Sequence, residues 1–462
     1  MNGKKKFLIL YVVYCLSLLY FIINWPSSKD LNVTRGYFVL FASYCLILFH
    51  FIYVFINKKI DIFEPIVIFF IFDILCIIVS PMIFIIYDNI NLFGEYVMDS
   101  CIKATLIHDL CYIGFMTGYF RKRRGIITDI PFNTGNRDEI YLRIAEILWN
   151  IFFVVSVIFL LTSGKSITYI FTLGFIGTTS KGTDASVNFL INFSYCLIAC
   201  WLYICILSKS KLKKMIISFL TAAIFLIRGT RFIVIIMAIS YVAMYYIINR
   251  KRPKIKAIIA ISIIFIIFNT VMGYARTELR LGTGFNISDI SVDALWRMLE
   301  SNFNIYQTYY GVVSTVPESI NHTYGQAMLL DPIIYVVPRF LWSGKPDPYE
   351  MALLGTMVNS FDSDVIKSAA LATVWITEIY IDFGVMGCFI VSLLFGKILD
   401  KCRHLYINNI TNVHKIIIYS MLYPTIMQFI IRGYMPMNIW MLFFLMLPVF
   451  LVSAISKIKI KL

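Results

Sequence analysis

The chain has 462 residues, of which 60% are hydrophobic and only 15% are charged. Soluble domains average roughly 45–50% apolar and about 25% charged residues, so this composition excludes an ordinary soluble protein and predicts an all-α polytopic membrane protein. The formal net charge of +15 does not indicate nucleic-acid binding. The lysines and arginines cluster in short loops between apolar runs, as in membrane proteins whose cytoplasmic loops are basic.

Apolar runs close to one bilayer crossing, about 20 residues, recur along the whole chain. They predict about twelve transmembrane helices in a single membrane domain over residues 1–462. The predicted spans are 7–24, 37–57, 64–87, 99–120, 141–162, 189–208, 215–228, 231–249, 257–272, 379–398, 413–431 and 437–455. The first run is too long for a cleavable signal peptide. Basic residues concentrate in alternate short loops, which predicts that both termini are cytoplasmic.

Asp73, His108 and Asp109 lie inside predicted spans, where ionisable residues are functional candidates by default. Asp73 is in the third span, and His108 and Asp109 are in the fourth. Because these spans are adjacent, the side chains are predicted to satisfy one another in a structural role. The ten cysteines lie in or beside apolar runs, and Cys196 and Cys200, which share a helix face, lack histidine or carboxylate partners. Neither a metal site nor a disulfide framework is therefore predicted.

The motif IRGTR, Ile227–Arg231, lies between two apolar runs, of which the first is short. The turn is therefore predicted near a membrane interface, where two arginines are costly unless they snorkel or bind an anion. Arg228 and Arg231 are candidates for a clamp on an anionic lipid headgroup, because a planar guanidinium matches phosphate oxygens. A pair of snorkelling arginines at a helix hairpin explains the motif equally well.

The longest polar interruption runs from Gly273 to Asp382, after the ninth predicted span. A segment this polar is too costly to bury in lipid. Residues 273–378 are therefore predicted to form one large extracytoplasmic loop that contains short helices. Arg276 and Arg280 are four residues apart and share a helix face, where like charges favour an anion between them. A solvated interfacial helix is the alternative.

The stretch VPRFLWSGKP, residues 337–346, lies within this predicted loop. Its prolines and glycine interrupt regular structure. Arg339 and Lys345 add positive charge beside Trp342, an aromatic residue suited to an interface or to stacking on a sugar. His322 is the single histidine of the loop, and a lone loop histidine is more often incidental than functional.

Glu378 and Asp382 lie at the beginning of the tenth span and are four residues apart, so they share a helix face. A carboxylate among apolar neighbours can exchange protons near neutral pH, which suits a general base. A pair of solvated carboxylates at a helix start is the alternative.

Together these features resemble the oligosaccharide repeat-unit polymerases, the Wzy family that builds O-antigen and capsular polysaccharide. The resemblance covers essentially the whole chain: about a dozen spans, one dominant external loop in the second half, and three local motifs. The motifs are the Gly-Thr-Arg turn at 229–231, the stretch VPRFLWSGKP, and the Glu-x-Tyr-x-x-Phe-Gly sequence that begins at Glu378. The family is related to the GT-C-type glycosyltransferases and the O-antigen ligases.

The resemblance implies a GT-C-like fold and a polymerase of the bacterial inner membrane that uses no metal or other cofactor. It would transfer the growing glycan from undecaprenyl diphosphate to the non-reducing end of an incoming undecaprenyl-diphosphate-linked repeat unit at the periplasmic face. Donor and acceptor oligosaccharides are the implied partners, without nucleic acid. A chain-length regulator and a flippase of the same pathway are further candidate partners.

On this resemblance, Glu378 is predicted to be the catalytic base, and Arg276 and Arg231 are predicted to stabilise the departing diphosphate. The residues predicted to bind diphosphate or glycan are Arg228, Arg280, Arg339, Lys345, Trp342, Tyr380 and His322. The alternative function is a flippase or transporter of the lipid-linked oligosaccharide. The lack of an internal repeat and the single dominant loop weigh against it. A structural scaffold of an export complex leaves the paired arginines unexplained.

Overall fold

The computed structural model of the protein describes residues 38–40, 42–43, 45, 47–48, 50, 60–81, 91–92, 95–96, 98–120, 138–162, 191–227, 230–249, 253–254, 256, 260, 267, 270–271, 305–318, 320–337, 341–346, 373–408 and 412–458. Its regular structure in these parts is helical, as predicted, apart from one small hairpin. The hairpin pairs β1 (Asn91–Leu92) and β2 (Glu95–Tyr96) antiparallel.

In chain order, the α-helices are α1 (Pro65–Asp73), α2 (Met98–Tyr119), α3 (Asp138–Thr162), α4 (Cys196–Leu207), α5 (Lys211–Ile227), α6 (Arg231–Asn249), α7 (Ile305–Thr315), α8 (Asp331–Val336), α9 (Trp375–Asn408), α10 (Val413–Ile431) and α11 (Met435–Ile458). A π-helix, Ile74–Val79, continues α1, and another, Gln326–Leu330, precedes α8. A 3-10 helix, Ile191–Tyr195, precedes α4.

Four of the described helices are long and apolar enough to cross a membrane: Asp138–Leu161, Phe232–Asn249, Trp375–Ile407 and Met435–Ile458. From 64–87 onwards, each predicted span except 257–272 falls on a described helix. The span at 7–24 lies outside the described residues, as does most of 257–272. The count of twelve spans and the extracytoplasmic placement of residues 273–378 stay predictions.

One face of α3 is apolar and uncovered, although a soluble protein would bury it. Its exposed side chains recur every three or four residues and so lie along one stripe: Ile147, Ile151, Val154, Ile158 and Leu161. A helix with such a stripe on its outer face is typical of a protein whose surrounding solvent is lipid.

Helices α2 and α9 form the most extensive helix–helix contact among the described residues. Their backbones touch at glycines: a Cβ at Gly118 would lie 2.1 Å from the Leu393 carbonyl oxygen, and one at Gly396 would lie 2.2 Å from that of Phe115. Gly114 makes a similar approach to Phe389. Gly114 and Gly118 form the small-xxx-small spacing that lets membrane helices pack closely. We call this contact the α2–α9 seam.

The described part of the predicted loop is packed against the helices rather than held away from them. Helix α7 contacts α2, and its Tyr306, Tyr309 and Tyr310 side chains are fully buried. The Tyr309 hydroxyl donates to the Ala104 carbonyl of α2 at 3.0 Å. Helix α8 packs on α11, where the Trp440 indole donates to the Pro332 carbonyl at 2.8 Å. Short helices were predicted in this segment.

Candidate functional site at the beginning of helix α9

Glu378 lies in the first turn of α9 and is 1% exposed. Its Oε1 and Oε2 both accept a hydrogen bond from the Met435 backbone N–H, at 3.0 and 2.9 Å. Met435 is the first residue of α11, so the carboxylate sits at the amino-terminal, positive end of that helix. A capping carboxylate of this kind holds the beginnings of α9 and α11 together.

The loop between α10 and α11, Arg432–Tyr434, rests on the same end of α9. The Gly433 N–H donates to the Thr373 carbonyl at 2.8 Å. A Cβ at Gly433 would lie 2.6 Å from the Trp375 Cα, so only glycine fits this approach without a shift of backbone. The contact fixes the position of Arg432 relative to Glu378.

Asp382, one turn after Glu378, is fully buried and joins α9 to the segment that precedes α8. Its Oδ1 accepts from the Thr323 hydroxyl at 2.5 Å and from the Ala327 N–H at 3.1 Å. Its Oδ2 accepts from the Met328 N–H at 2.8 Å. The carboxylate therefore satisfies donors in the first turn of the Gln326–Leu330 π-helix, where no helical carbonyl is available.

Helix α9 breaks at Gly384, whose φ of 60° and ψ of −161° are outside the helical region and favour glycine. The break leaves carbonyls of the preceding turn free for other donors. The Ile381 carbonyl accepts from the Thr323 N–H at 3.2 Å, and the Asp382 carbonyl accepts from the Tyr324 N–H at 3.0 Å. The chain segment 320–325 is thereby docked on the break.

His322 belongs to this docked segment and is half-buried. Its Nδ1 is 3.1 Å from the Ile381 carbonyl oxygen, so Nδ1 carries the proton and donates. A Cβ at Gly384 would lie 3.1 Å from Nε2, which places the other ring nitrogen over the break. The Tyr380 ring meets the imidazole edge-to-face, with centroids 5.8 Å apart.

Tyr380 is buried, and its hydroxyl donates to the Val316 carbonyl at 2.9 Å. The Lys103 ammonium of α2 is 5.9 Å from the centre of the Tyr380 ring and 3.4 Å from the Val313 carbonyl oxygen. Lys103 is half-buried, and the sequence analysis did not single it out. Its signal in the sequence was a lysine in the first turns of a predicted membrane span.

Lys345 and Trp342 lie beyond α8. The Lys345 ammonium donates to the Tyr335 and Val337 carbonyls at 3.0 and 2.9 Å, so it binds carbonyl groups at the carboxyl-terminal end of α8, where a cation is favoured. The Trp342 side chain is 41% exposed. The structure therefore gives Lys345 a supporting position and leaves Trp342 accessible.

The predicted arginines are only partly covered by the described residues. Arg228, Arg276, Arg280 and Arg339 lie outside them, and so does the side chain of Arg231. The backbone of Arg231 begins α6. Before it, the Thr230 N–H and hydroxyl both donate to the Phe225 carbonyl, at 3.0 and 3.1 Å, and close the turn.

Arg432 is a basic residue at this end of the bundle that sequence reasoning missed. Its side chain is exposed, and its guanidinium carbon is 6.0 Å from the centre of the Phe232 ring, next to Arg231. The signal was Ile431-Arg432-Gly433, which repeats the Ile-Arg-Gly of the motif IRGTR.

Asp73 and His108 pair with each other, as predicted, whereas the hydrogen bond to Asp109 comes from Ser43. His108 Nε2 is 2.9 Å from Asp73 Oδ2, and the Trp375 indole donates to Asp73 Oδ1 at 3.0 Å. The Ser43 hydroxyl donates to Asp109 Oδ1 at 2.5 Å. Trp375 begins α9, so this buried network also anchors the turn that carries Glu378. We call it the Asp73 network.

Among the residues that the structure describes, no group of three or more His, Cys, Asp and Glu side chains is placed to hold a metal ion. The family model described as O-antigen polysaccharide polymerase Wzy matches residues 7–459 of the chain. Comparison with curated proteins and with solved structures gave no significant match.

Proposed function

The chain belongs to the O-antigen polysaccharide polymerase Wzy family, and on that premise we propose a specific glycosyltransferase reaction. The enzyme transfers the growing glycan from undecaprenyl diphosphate to the non-reducing end of an incoming undecaprenyl-diphosphate-linked repeat unit. A C–O bond forms between the donor sugar and the acceptor hydroxyl oxygen. The bond from the sugar to its phosphate oxygen breaks, the diphosphate leaves with the electron pair, and the hydroxyl proton passes to a base.

The convergence at the beginning of α9 is the observation that carries this proposal. A carboxylate, Glu378, holds the loop that presents the Arg432 guanidinium, and Phe232 of α6 lies against that guanidinium. A base for the acceptor and a cation for the leaving group are what the reaction requires.

Glu378 is the proposed base. Its carboxylate oxygens accept from the Met435 backbone N–H and are closed off from solvent in the substrate-free structure. An acceptor hydroxyl reaches them only when the loop Arg432–Tyr434 moves away, so we propose that substrate binding displaces this loop. Hydrogen bonds of catalytic groups often reach their working geometry only in the substrate complex.

The proposed diphosphate site consists of arginines from separate turns. Arg231 and Arg276 stabilise the leaving group, with Arg228, Arg280 and Arg339 beside them. Arg432 joins this set because it is exposed and lies next to Phe232. Each charge-assisted hydrogen bond contributes roughly 1.5–3 kcal/mol, and most when it strengthens as charge develops on the diphosphate.

The glycan is proposed to lie along the segment docked on the Gly384 break. The Nε2 atom of His322 lies at the break, and the Tyr380 ring packs edge-to-face against the imidazole. Trp342 is accessible for stacking on a sugar ring. Lys345, which binds the α8 carbonyls, stabilises the surface from which Trp342 projects.

We place this reaction at the periplasmic face of the inner membrane, without a metal, with both termini in the cytoplasm. A flippase and a chain-length regulator of the same pathway are the proposed protein partners. Cysteine introduced at Ser319 or Ser360, in a background without the native cysteines, should react with a membrane-impermeant thiol reagent from outside. Reaction only after the inner membrane is permeabilised would overturn this topology.

The surface glycan of a strain that lacks the protein tests the function. A polymerase mutant should display surface glycan capped by a single repeat unit, because export and ligation of one unit need no polymerisation. A flippase mutant would display no units and accumulate lipid-linked units on the cytoplasmic side. A scaffold would fail a second assay, in which the purified protein must polymerise lipid-linked units by itself.

A further inference from the structure

A groove on the lipid-facing side of the bundle lies between α4, α5 and α6. It encloses a volume of about 510 Å³, within the range of roughly 300–1,000 Å³ that is usual for small-molecule sites. Its α5 wall contains Lys211, Met215, Ser218 and Ala222, which recur at helical spacing and face one way. The helix rises by eleven residues from Lys211 to Ala222, so the groove is about 16 Å long.

The walls of the groove are apolar and its floor is fixed. Trp201 of α4 forms part of the floor, and its indole donates to the Ser218 hydroxyl at 2.6 Å. Ala222 of α5 and Ala238 of α6 have small side chains, so the two walls do not meet and the groove stays open between them. A groove of this length and chemistry fits a hydrocarbon chain.

The positive charge of the groove is confined to one end. Lys211 and Lys214, in the first turn of α5, both line it. Among the described residues, neither side chain makes an ion pair or a hydrogen bond. Lys213 differs, because its ammonium is 2.5 Å from Glu146 Oε1 of α3. The helix dipole at the beginning of α5 adds to the positive potential.

The surface around the groove is the kind that faces lipid. Phe219 of α5 is 72% exposed, and Met215 and Tyr241 at the rim are exposed as well. The groove therefore opens onto the acyl-chain region. The predicted topology puts its basic end at the cytoplasmic leaflet, where basic pockets between helices bind anionic headgroups.

We propose that this groove is a binding site for an anionic phospholipid of the surrounding membrane. The phosphate of the headgroup binds Lys211 and Lys214, and one acyl chain lies along α5 toward Ala222. The occupant rigidifies the α5–α6 hairpin, whose turn carries Arg231. The proposal does not depend on the polymerase reaction, because the groove uses none of the residues assigned to it.

The test measures thermal unfolding of the full-length protein, purified in a neutral detergent, with added lipid. Phosphatidylglycerol should raise the unfolding midpoint of the wild-type protein, whereas phosphatidylcholine and inorganic phosphate should not. The double variant Lys211→Ala/Lys214→Ala should need at least about tenfold more phosphatidylglycerol for the same shift, as expected from the loss of about 1 kcal/mol per basic residue.

Lys213→Ala is the matched control, since it removes one positive charge from the same turn outside the groove. It should respond to phosphatidylglycerol as the wild type does. Ala238→Trp, which fills the groove and keeps both lysines, should abolish the response and remains informative if the double variant unfolds. An unchanged response of both variants overturns the proposal. An equal response to phosphatidylcholine removes the anionic specificity, and an equal response to phosphate indicates a simple anion site.

Discussion

The two halves of helix α9, before and after the break at Gly384, are held in different ways. After the break, α9 lies against α2 along the α2–α9 seam, where glycines bring backbone against backbone. Before the break, the carboxylate of Asp382 binds backbone N–H groups of the π-helix that precedes α8, and that of Glu378 binds the N–H of the first residue of α11. One half is fixed by shape and the other by charge. The difference separates the scaffold from the proposed site, because the charged half carries the groups that we propose a substrate engages.

Loss of the Asp382 carboxylate should have the largest effect on the charged half. Asp382→Ala leaves the Ala327 and Met328 N–H groups buried without their acceptor. Leaving a buried hydrogen-bond donor without an acceptor costs about 1–3 kcal/mol for each donor. We expect a much lower unfolding midpoint and little protein in the membrane, measured by thermal unfolding and by immunoblot. A midpoint equal to the wild type would show that the docked segment 320–325 does not depend on this carboxylate.

Glu378→Gln separates proton transfer from capping. The amide oxygen still accepts from Met435 N–H, so the unfolding midpoint should fall only slightly. A general base typically contributes 10²–10⁴-fold, and we expect turnover of purified lipid-linked substrate to fall by at least about 100-fold. If turnover stays within about fivefold of the wild type, Glu378 is a cap of α11 and the base lies elsewhere.

Arg432→Lys keeps the charge but loses the planar fork that binds two phosphate oxygens. Loss of one charge-assisted hydrogen bond of roughly 1.5–3 kcal/mol corresponds to about one to two decades in rate. Arg231→Lys and Arg276→Lys should behave in the same way. The readouts are glycan ladder length and turnover, at normal membrane abundance.

Arg143→Lys is the matched control for these arginines, because Arg143 is an exposed residue near the beginning of α3, apart from this site. It should leave turnover unchanged. Near-normal ladders from the Arg231, Arg276 and Arg432 variants alike would return them to a snorkelling role and leave the charged half of α9 without a leaving-group site.

Gly118→Ala tests the half that is fixed by shape. The added Cβ meets the Leu393 carbonyl oxygen at 2.1 Å, so the two helices must separate. Overpacking of this kind costs about 1–3 kcal/mol, and the unfolding midpoint should fall while the substrate KM stays close to the wild type. Gly344→Ala is the control, since its Cβ meets nothing closer than 4.0 Å. Equal midpoints for the two variants would contradict the seam.

The apolar runs of the sequence predicted the described long helices well, because lipid forces each span to satisfy its own backbone. The pairing of Asp73 with His108 was also predictable, since the spans are adjacent. The partners of Glu378 and Asp382 were not, because Met435 and Met328 are 57 and 54 residues away in the chain. The sequence has no local pattern that indicates a contact between residues so far apart in the chain.

Other features were visible in the sequence but not recognised. The Gly114–Gly118 spacing predicts close helix packing, but it does not identify α9 as the partner helix. The segment that forms α7 contains Tyr, Gln and Thr side chains, which suggested a solvated loop, although its tyrosines are buried against the helices. Arg432 stands alone in a short turn, and a single arginine there is usually a topological marker.

The Asp73 network imposes an order on the synthesis of the protein. His108 follows Asp73 by 35 residues, but Trp375 follows it by 302. At about 5–20 residues per second, the ribosome makes His108 within about 2–7 s of Asp73, and Trp375 only after about 15–60 s. Asp73 and His108 are therefore inserted into the membrane within a few seconds of each other and can pair early. Asp73 waits for its indole partner until most of the chain has been inserted, and only then does the turn that bears Glu378 acquire its anchor.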